Sequence, residues 1–368
     1  MKVLHIAPLE AGRITGPGAV IPRLVEEQNR GHIDAECRVL SSLNGDPISL
    51  SGAIYYIWPE HKSALEWVVS DGASQGIVVF HGVYAWKHWM LAIKCKILGI
   101  NYIIVPHGNL MQASTQRSRL RKRFALMTVC RWFVMNAAAL QFLNSGERDN
   151  SVLVGRSSFL VGNGVDVASN DENHDQTGRG DPPGGVRFMF LGRLDVFHKG
   201  LDLLLDAVAL SKSEFAHSGA SLIVIGPDHK GGLAQIKQMI QDYELSDYVE
   251  LSPSLVGERK VMAMKSADVF VHTSRLEGEP MAVLEALALG LPCILTRETN
   301  LGISAAQHEA GWCVDADPHS IASAFSEVLN HPDRLPMMSE HAAHWMRKEH
   351  SWEEVARKSL DSYRDAIS

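Results

Sequence analysis

Two carboxylates flank the start of one apolar helix in this sequence, within the stretch LEGEPMAVLEALALGLPC. Glu277 precedes the helix, and Glu285 lies about one and a half turns inside it. Burial of a carboxylate without a partner is costly, so a functional partner is expected. We predict that Glu285 binds ribose hydroxyls and Glu277 the hydroxyls of a sugar. The alternatives are a capping acid at Glu277 and a core ion pair at Glu285.

The same helix start offers backbone amides that can bind phosphate. Pro280 suits the first helical turn, where its missing N–H costs nothing. The amides of Met281, Ala282 and Val283 then have no partner inside the helix. Amides that bind phosphate, next to acids that bind hydroxyls, indicate a nucleotide sugar as the ligand.

Two cations follow a different strand-like segment, in FLGRLDVFHKGLDLLLDAVAL. Arg193 comes directly after the strand, and Lys199 directly before the next helix. Arginine offers a planar fork and lysine a compact point charge, and both suit a diphosphate. The alternative is a pair of ordinary surface cations around a turn.

Other polar residues also follow strand-like segments. His107 comes after NYIIVP and His81 after GIVVF. We expect His107 to belong to the site and His81 to be a hydrogen-bonded structural residue. Ser145 and Glu147 are expected to cap the helix that follows them, and the alternative is that they line the acceptor side. The acids at 315–317 precede Pro318 and a helix, which favours capping over metal binding.

These residues require a particular scaffold. Short apolar runs alternate with helical stretches along the whole chain, which predicts parallel sheets covered by helices. The polar stretch 166–185 is rich in Gly, Asp and Asn and predicts a linker or mobile loop between two α/β domains. In such sheets ligands bind beyond the carboxyl ends of the strands, where the residues above lie.

The composition bounds the class of protein. The net charge of −7, without a zinc-finger or RNP motif, indicates against nucleic-acid binding. Five scattered cysteines suggest reduced packing residues, as in a cytoplasmic protein. The first residues are typical of a strand, not of a signal peptide. GPGAVIPR lacks the full nucleotide-binding glycine pattern, so nicotinamide binding has little support.

Several of these stretches resemble the family-4 glycosyltransferases, which are retaining enzymes of GT-B fold. EGEPMAVLEALALGLPCI resembles their E-G-x-P-x-x-x-x-E-A-x-A-x-G-x-P signature, and GRLDVFHKG resembles their G-R-L-x-x-x-K-G element. NGVD resembles the boundary between their domains, and NSGERD their S-x-x-E step. HSWEEVARKSL resembles the tail that crosses back to the first domain. The matches span nearly the whole chain.

The resemblance implies an α/β chain of GT-B fold, with two Rossmann-like parallel-sheet domains facing each other across a cleft. The first domain would cover 1–165 and be joined by a C-terminal helix at about 351–368. The second domain, 186–350, would bind the nucleotide sugar.

The resemblance also implies roles for single residues. Arg193 and Lys199 would bind the donor diphosphate, and Glu285 the ribose. Glu277 and the amides from Met281 to Val283 would hold the transferred sugar. These roles make Arg193, Lys199 and Glu277 catalytic residues.

Further donor contacts are implied by the resemblance outside this group. His107 would touch the donor sugar as a fourth catalytic residue, and Pro227 would lie in the donor site. The loop with Gly16 and Gly18 would close over the sugar and phosphates. Glu279 stands where the family commonly has Phe, and we expect this third acid to bear on sugar choice.

The function implied is transfer of a hexose-type sugar from a nucleoside diphosphate to an acceptor hydroxyl, with retained anomeric configuration. UDP is favoured over GDP as the donor, and no metal cofactor is expected. The acceptor would be a saccharide or lipid-linked saccharide in polysaccharide, lipopolysaccharide or glycolipid synthesis. The alternatives are a GT-B epimerase or phosphorylase, and a non-catalytic sugar-nucleotide-binding subunit.

A basic stretch bears on the acceptor. STQRSRLRKRFALM, at 114–127, carries Arg117, Arg121 and Lys122 among five cations around an apolar stripe. A basic amphipathic helix can lie on an anionic membrane, here the inner face of the cytoplasmic membrane. The alternative is a solvated face above a core stripe.

Overall fold

The computed structural model describes residues 1–9, 16–31, 34–43, 54–72, 76–112, 128–167 and 185–368. The chain forms two compact units, Met1–Gly164 with His350–Ser368, and Val165–Glu349. Each unit contains one parallel sheet, so the predicted α/β class is confirmed. Most of the stretch predicted as a linker, 166–185, lies outside the described residues.

The first unit is built on a seven-stranded sheet of order β3-β2-β1-β4-β5-β6-β7, in which all strand pairs are parallel. Its strands are β1 Lys2–Ala7, β2 Glu36–Ser41, β3 Tyr55–Tyr56, β4 Gly76–His81, β5 Asn101–Val105, β6 Ala139–Phe142 and β7 Ser158–Leu160. Its helices before the second unit are α1 Gly16–Gly31, α2 His61–Val69, α3 Trp86–Leu98, α4 Val129–Met135 and α5 Ser145–Asp149.

The second unit is built on a six-stranded parallel sheet of order β10-β9-β8-β11-β12-β13. Its strands are β8 Arg187–Leu191, β9 Ser221–Ile225, β10 Val249–Ser252, β11 Val269–His272, β12 Cys293–Thr296 and β13 Gly311–Val314. Its helices are α6 Leu201–Leu210, α7 Lys212–Ser218, α8 Gly232–Asp242, α9 Gly257–Lys265, α10 Met281–Ala288, α11 Gly302–Gln307, α12 Pro318–Asn330 and α13 Leu335–Glu349.

The last helix, α14 Trp352–Ile367, belongs to the first unit. Leu360 and Tyr363 are fully buried in a core cluster with residues of β1, α1 and β4. Trp352 packs on Gly164, where any side chain would overlap its indole ring. The first unit is therefore assembled from both ends of the described chain.

Helices cover both faces of each sheet, and the strands are apolar for this reason. β4 is buried at every position, as are β11 and β12. The five cysteines are free, and four of them are buried, as predicted for packing residues. No helix in the described part of the chain is long and apolar enough to cross a bilayer.

Two backbone contacts in the second unit fix the loop between β8 and α6. A side chain at Gly226 would overlap the carbonyl of Gly192, and one at Gly200 would overlap the carbonyl oxygen of Thr273. Gly200 also has a φ of +63°, which favours glycine. The loop therefore lies directly against the turns after β9 and β11.

We expect Gly226→Ala to destabilise the chain by about 2–3 kcal/mol, because the added methyl group meets backbone that cannot move aside. Gly31→Ala is the matched control, since a Cβ at Gly31 meets no atom within 4 Å. Urea unfolding of both variants measures the difference. Equal stabilities would contradict the close approach of the two turns.

Candidate functional site

Lys199 and Glu277 form an ion pair at the carboxyl end of the second sheet. The Glu277 carboxylate also accepts a hydrogen bond of 3.0 Å from the Ser274 hydroxyl and lies 3.4 Å from Nε2 of His272. The side chains of Lys199 and Glu277 are only 11% and 13% exposed. Two residues predicted from separate motifs therefore meet in one mostly buried cluster.

The charges in this cluster are fixed by its partners. Burial alone would raise the pKa of Glu277, but hydrogen bonds and charges from His272 and Lys199 outweigh it and hold that pKa well below its usual range. Burial, together with Lys199, lowers the pKa of His272. At neutral pH Glu277 is thus a carboxylate, and neutral His272 donates to it from Nε2.

The start of α10 differs from the prediction by one residue. Pro280 is the N-cap in extended conformation, and α10 begins at Met281. The amide of Val283 donates to the Pro280 carbonyl at 3.0 Å, so the prediction that Val283 offers a free amide is wrong. Within the described chain the amides of Met281 and Ala282 have no recorded acceptor, and these two remain available to an anion.

Glu285 pairs with Lys260 of α9, with 2.7 Å between carboxylate oxygen and Nζ. Both side chains are about a quarter exposed, at 28% and 25%. The helix is therefore not buried on all sides. The ion pair of the alternative interpretation is present, but it lies at a partly exposed position and not inside the core. Glu285 lies instead on the half-exposed side of α10 with Ala282.

The loop that carries Glu277 is held by the turn that follows β12. The side-chain amide of Asn300 donates to the carbonyls of Glu277 at 2.6 Å and Gly278 at 3.2 Å. Asn300 adopts a left-handed conformation that turns its side chain back to this loop. Glu279 is buried, with 8% of its surface exposed.

Arg193 and Pro227 lie on adjacent turns. The amide of Leu194 donates to the Pro227 carbonyl at 3.0 Å, which ties the turn after β8 to the turn after β9. Both Arg193 and Pro227 are exposed, whereas Lys199 is buried. Of the two predicted cations, Lys199 joins the Glu277 cluster and Arg193 stands in solvent.

The first unit contains the remaining predicted residues. Gly16 and Gly18 lie in the first turn of α1, so the prediction of a glycine loop at these positions is wrong. Gly16, Pro17 and Gly18 are all compatible with a helix start, where few amides need partners.

His107 is held in the turn after β5. It has a φ of +52°, which is uncommon for a residue with a side chain. Nε2 of His107 lies 2.9 Å from Nδ1 of His81, within hydrogen-bond distance. His81 is therefore a hydrogen-bonded residue, as predicted, and its partner is a predicted site residue.

Glu147 does not cap a helix, contrary to the prediction. Asn144 is the N-cap of α5 and accepts from the amide of Glu147. The Glu147 carboxylate is fully buried and accepts from the amides of Gly108 and, at 2.8 Å, Leu143. It braces the turn that carries His107, while Ser145 is simply the first residue of α5.

Predictions elsewhere have mixed outcomes. Asp317 caps α12 by accepting from the amide of Ser320 at 2.9 Å, which confirms capping there. No group of three or more metal-ligating side chains occurs among the described residues. Arg117, Arg121 and Lys122, which are predicted to contact a membrane, lie outside the described part of the chain.

Four residues that contact the predicted site residues were not among the sequence predictions: His272, Ser274, Asn300 and Lys260. His272 and Ser274 carried a usable signal, because they lie at the end of β11 and just after it, in the same VFVHTS segment that led to Glu277. Asn300 and Lys260 carried none, since their partners lie 23 and 25 residues away in other elements.

We expect Lys199→Met and Glu277→Gln each to destabilise the chain by about 3 kcal/mol, because each leaves a mostly buried charge without its partner. The double variant should recover much of this loss. Because the pKa of Glu277 is depressed, the coupling persists down to about pH 4 and is lost only as the pH falls further. Urea unfolding of the wild type, the two single variants and the double variant at pH 7 measures this coupling. Additive losses of stability would contradict an interaction between Lys199 and Glu277.

Comparison with known proteins finds similarity that includes most of the second unit. A family model described as glycosyl transferases group 1 matches residues 171–345. A D-inositol 3-phosphate glycosyltransferase of Corynebacterium urealyticum is 28% identical over 179 residues, which are 48% of this chain and 42% of that protein. A GDP-mannose:cellobiosyl-diphosphopolyprenol alpha-mannosyltransferase of Xanthomonas oryzae is 26% identical over 80% of this chain and 75% of its own length. The chain spans less than half the length of several curated relatives that it matches.

Solved structures share the fold over the whole chain. Sucrose-phosphate synthase from Thermosynechococcus elongatus has a TM-score of 0.72 at 17% identity and covers 99% of this chain and 98% of its own. HepE from Anabaena in complex with UDP has a TM-score of 0.72 at 14% identity, with 99% and 100% covered. The predicted GT-B fold and the resemblance to glycosyltransferases are confirmed. The chain therefore has a GT-B fold, and its residues 171–345 match the model of the group 1 glycosyl transferases.

Proposed function

We propose that the protein is a retaining, family-4-type glycosyltransferase that moves a hexose from a nucleoside diphosphate to an acceptor hydroxyl. The observation that carries this proposal is the mostly buried ion pair of Lys199 and Glu277. Glu277 lies four residues before Met281, where α10 begins with two amides available to an anion. One cation, one carboxylate and two amides together suit a ligand that combines phosphate with sugar hydroxyls.

Lys199 is assigned to the donor diphosphate. In the structure its charge is compensated by Glu277, so an arriving diphosphate competes for the same ammonium group. Arg193, exposed on the same loop, and the amides of Met281 and Ala282 supply further positive potential. These groups stabilise the charge that develops on the leaving diphosphate, which is why we propose that no metal is required.

Glu277 is assigned to the transferred sugar. Its low pKa keeps it ionised, so it accepts hydrogen bonds from sugar hydroxyls. In the proposed transfer the bond between the anomeric carbon and the diphosphate oxygen breaks. The acceptor oxygen bonds to that carbon on the same face, and its proton passes to the leaving diphosphate.

Glu285 is assigned to the ribose. Its carboxylate is about a quarter exposed and is held by Lys260, which leaves oxygen lone pairs for hydroxyl groups. The buried Glu279, two residues after Glu277, is assigned to the choice of sugar.

The names of related proteins support a nucleoside-diphosphate hexose as donor. The Xanthomonas relative, which matches most of this chain, is named for GDP-mannose and a diphosphopolyprenol-linked acceptor. HepE has been solved with UDP-glucose. We therefore propose a UDP- or GDP-hexose donor and a saccharide or lipid-linked saccharide acceptor, in glycan biosynthesis.

Slow hydrolysis of the correct donor tests this proposal without knowledge of the acceptor. We expect one hexose donor among UDP-glucose, UDP-galactose, UDP-GlcNAc and GDP-mannose to be hydrolysed in the presence of EDTA. Lys199→Ala should reduce this rate at least about a hundredfold, by analogy with the loss of other charge-stabilising groups. Arg187→Ala, an exposed cation at the start of β8, is the control and should retain the rate. Loss of activity in EDTA, or full activity in Lys199→Ala, would refute the proposed roles.

A peripheral membrane contact is part of the proposal, and α3 supports it. Trp86, Ile93 and Ile97 recur on one helical face and are 63%, 48% and 78% exposed. Lys94 and Lys96 flank this stripe on its two sides. An exposed apolar stripe between lysines is typical of a helix that lies in the surface of an anionic bilayer.

We expect the protein to float with vesicles that contain anionic lipid at low salt, and to bind neutral vesicles more weakly. Ile93→Ser with Ile97→Ser should abolish flotation, because it removes the apolar contact while the fold keeps its core. Ile303→Ser, at a 52% exposed position of the second unit, is the matched control. Unchanged flotation of the double variant would exclude this face of α3.

A further inference from the structure

Three histidine side chains of the first unit form a continuous chain of hydrogen bonds. Nδ1 of His5, in β1, lies 3.0 Å from Nε2 of His81, at the end of β4. Nδ1 of His81 lies 2.9 Å from Nε2 of His107, after β5. The successive rings are stacked, with centroids 5.3 and 5.2 Å apart. The chain thus crosses three neighbouring strands of the sheet and ends at a predicted site residue.

The other end of this histidine chain is anchored on α1 and α14. Nε2 of His5 lies 3.0 Å from the Oε1 atom of Gln28. The Gln28 amide donates to the Ser359 hydroxyl at 2.8 Å, and that hydroxyl donates to the carbonyl of Ala356 at 2.8 Å. Gln28 and Ser359 are fully buried, so water does not offer these groups alternative partners.

All three histidines are neutral at physiological pH. Burial lowers the pKa of His5 and that of His107 to about 4. Burial, reinforced by the neighbouring His107, His5 and His88, lowers the pKa of His81 well below its usual value. A neutral imidazole donates from one ring nitrogen and accepts at the other, so each ring must pass on the direction of its bond.

The anchor sets that direction. The Ser359 hydroxyl donates its hydrogen to the Ala356 carbonyl, so its oxygen accepts from the side-chain NH2 group of Gln28. The side-chain oxygen of Gln28 therefore faces His5. His5 therefore carries its proton on Nε2 and accepts at Nδ1. The same requirement applies next to His81 and then to His107. His107 is left with its proton on Nε2 and a lone pair on Nδ1.

We propose that Ser359, Gln28, His5 and His81 are positioning residues that hold His107 in this single tautomer, so that Nδ1 accepts a hydrogen bond from a hydroxyl group of the sugar substrate. The assignment of the hydroxyl rests on the proposed function, whereas the tautomer does not. No hydrogen bond joins Nδ1 of His107 to another described residue.

The backbone holds the same ring from the other side. His107 has its φ at +52°, and the next amide, that of Gly108, donates to the buried Glu147 carboxylate. The side-chain amide of Asn109 donates to the His107 carbonyl at 3.2 Å. A positive φ at a residue with a side chain costs free energy. Such a conformation persists only where surrounding bonds fix it, as at sites that position a functional group.

Nitrogen NMR of the full chain with ¹⁵N-labelled histidine rings tests the tautomer without any substrate. We expect His5, His81 and His107 each to show a protonated Nε2 and an unprotonated Nδ1 at pH 7. A protonated Nδ1 on His107, or a charged imidazolium ring there, would overturn the proposal. Loss of signals in His81→Asn and His107→Asn assigns the resonances.

Ser359→Ala tests the anchor, because it removes the group that orients Gln28 and leaves all three histidines in place. We expect His107 to become a mixture of tautomers and kcat/KM for sugar transfer to fall about tenfold, the factor of one lost hydrogen bond. Affinity for UDP or GDP alone should not change, since Lys199 and the α10 amides are untouched. His88→Asn is the matched control: His88 is also fully buried, with a pKa lowered by burial to about 4. Among the described residues its ring hydrogen-bonds the Gly82 carbonyl and none of the three histidines of the chain.

Each outcome of these measurements decides the proposal. An unchanged His107 tautomer in Ser359→Ala, or an equal loss of transfer in His88→Asn, would refute the positioning role. If the wild-type chain transfers no sugar from any donor, the proposed function fails, and the NMR result still decides whether the histidine chain sets the tautomer of His107.

Discussion

The mostly buried carboxylate of Glu277 imposes the strictest requirement in the second unit, because it needs donors from several elements at once. Lys199 must reach it from the loop after β8, and His272 and Ser274 from the end of β11. That loop can lie close enough only because Gly200 packs on the carbonyl of Thr273 and Gly226 on that of Gly192. The glycines, the cation and the acid are thus parts of one solution to the cost of burying charge.

A different principle orients His107 in the first unit, where the histidine rings that contact one another are neutral. The ring of His107 is oriented through other side chains and its backbone through Glu147. Burial raises the pKa of Glu147, against the lowering effect of its bonds to the amides of Leu143 and Gly108. The second unit therefore offers fixed charge, and the first offers a hydrogen-bond acceptor whose direction is set by bonding alone.

Much of this arrangement could be predicted from the sequence, because parallel sheets bring the carboxyl ends of their strands to one edge. That rule placed Lys199 and Glu277, which are 78 residues apart, at one site. The rule says nothing about side-chain partners. The position of Glu147 predicts a cap, whereas its carboxylate accepts from Gly108, 39 residues away. Gln28 has no local signal, because its partner Ser359 is 331 residues away. The amide of Val283 is bonded to the Pro280 carbonyl because Pro280 is the N-cap of α10, and local propensity does not determine a helix start to within one residue.

The position of α14 has a consequence for how the protein is made. Domains emerging from a ribosome usually fold in order, the first before the second. Here the continuous segment Val165–Glu349 is complete before His350–Ser368 has been synthesised, whereas the first unit still lacks the helix that buries Leu360 and Tyr363. The unit whose synthesis starts first is therefore finished after the second, and its core stays open until α14 has been synthesised.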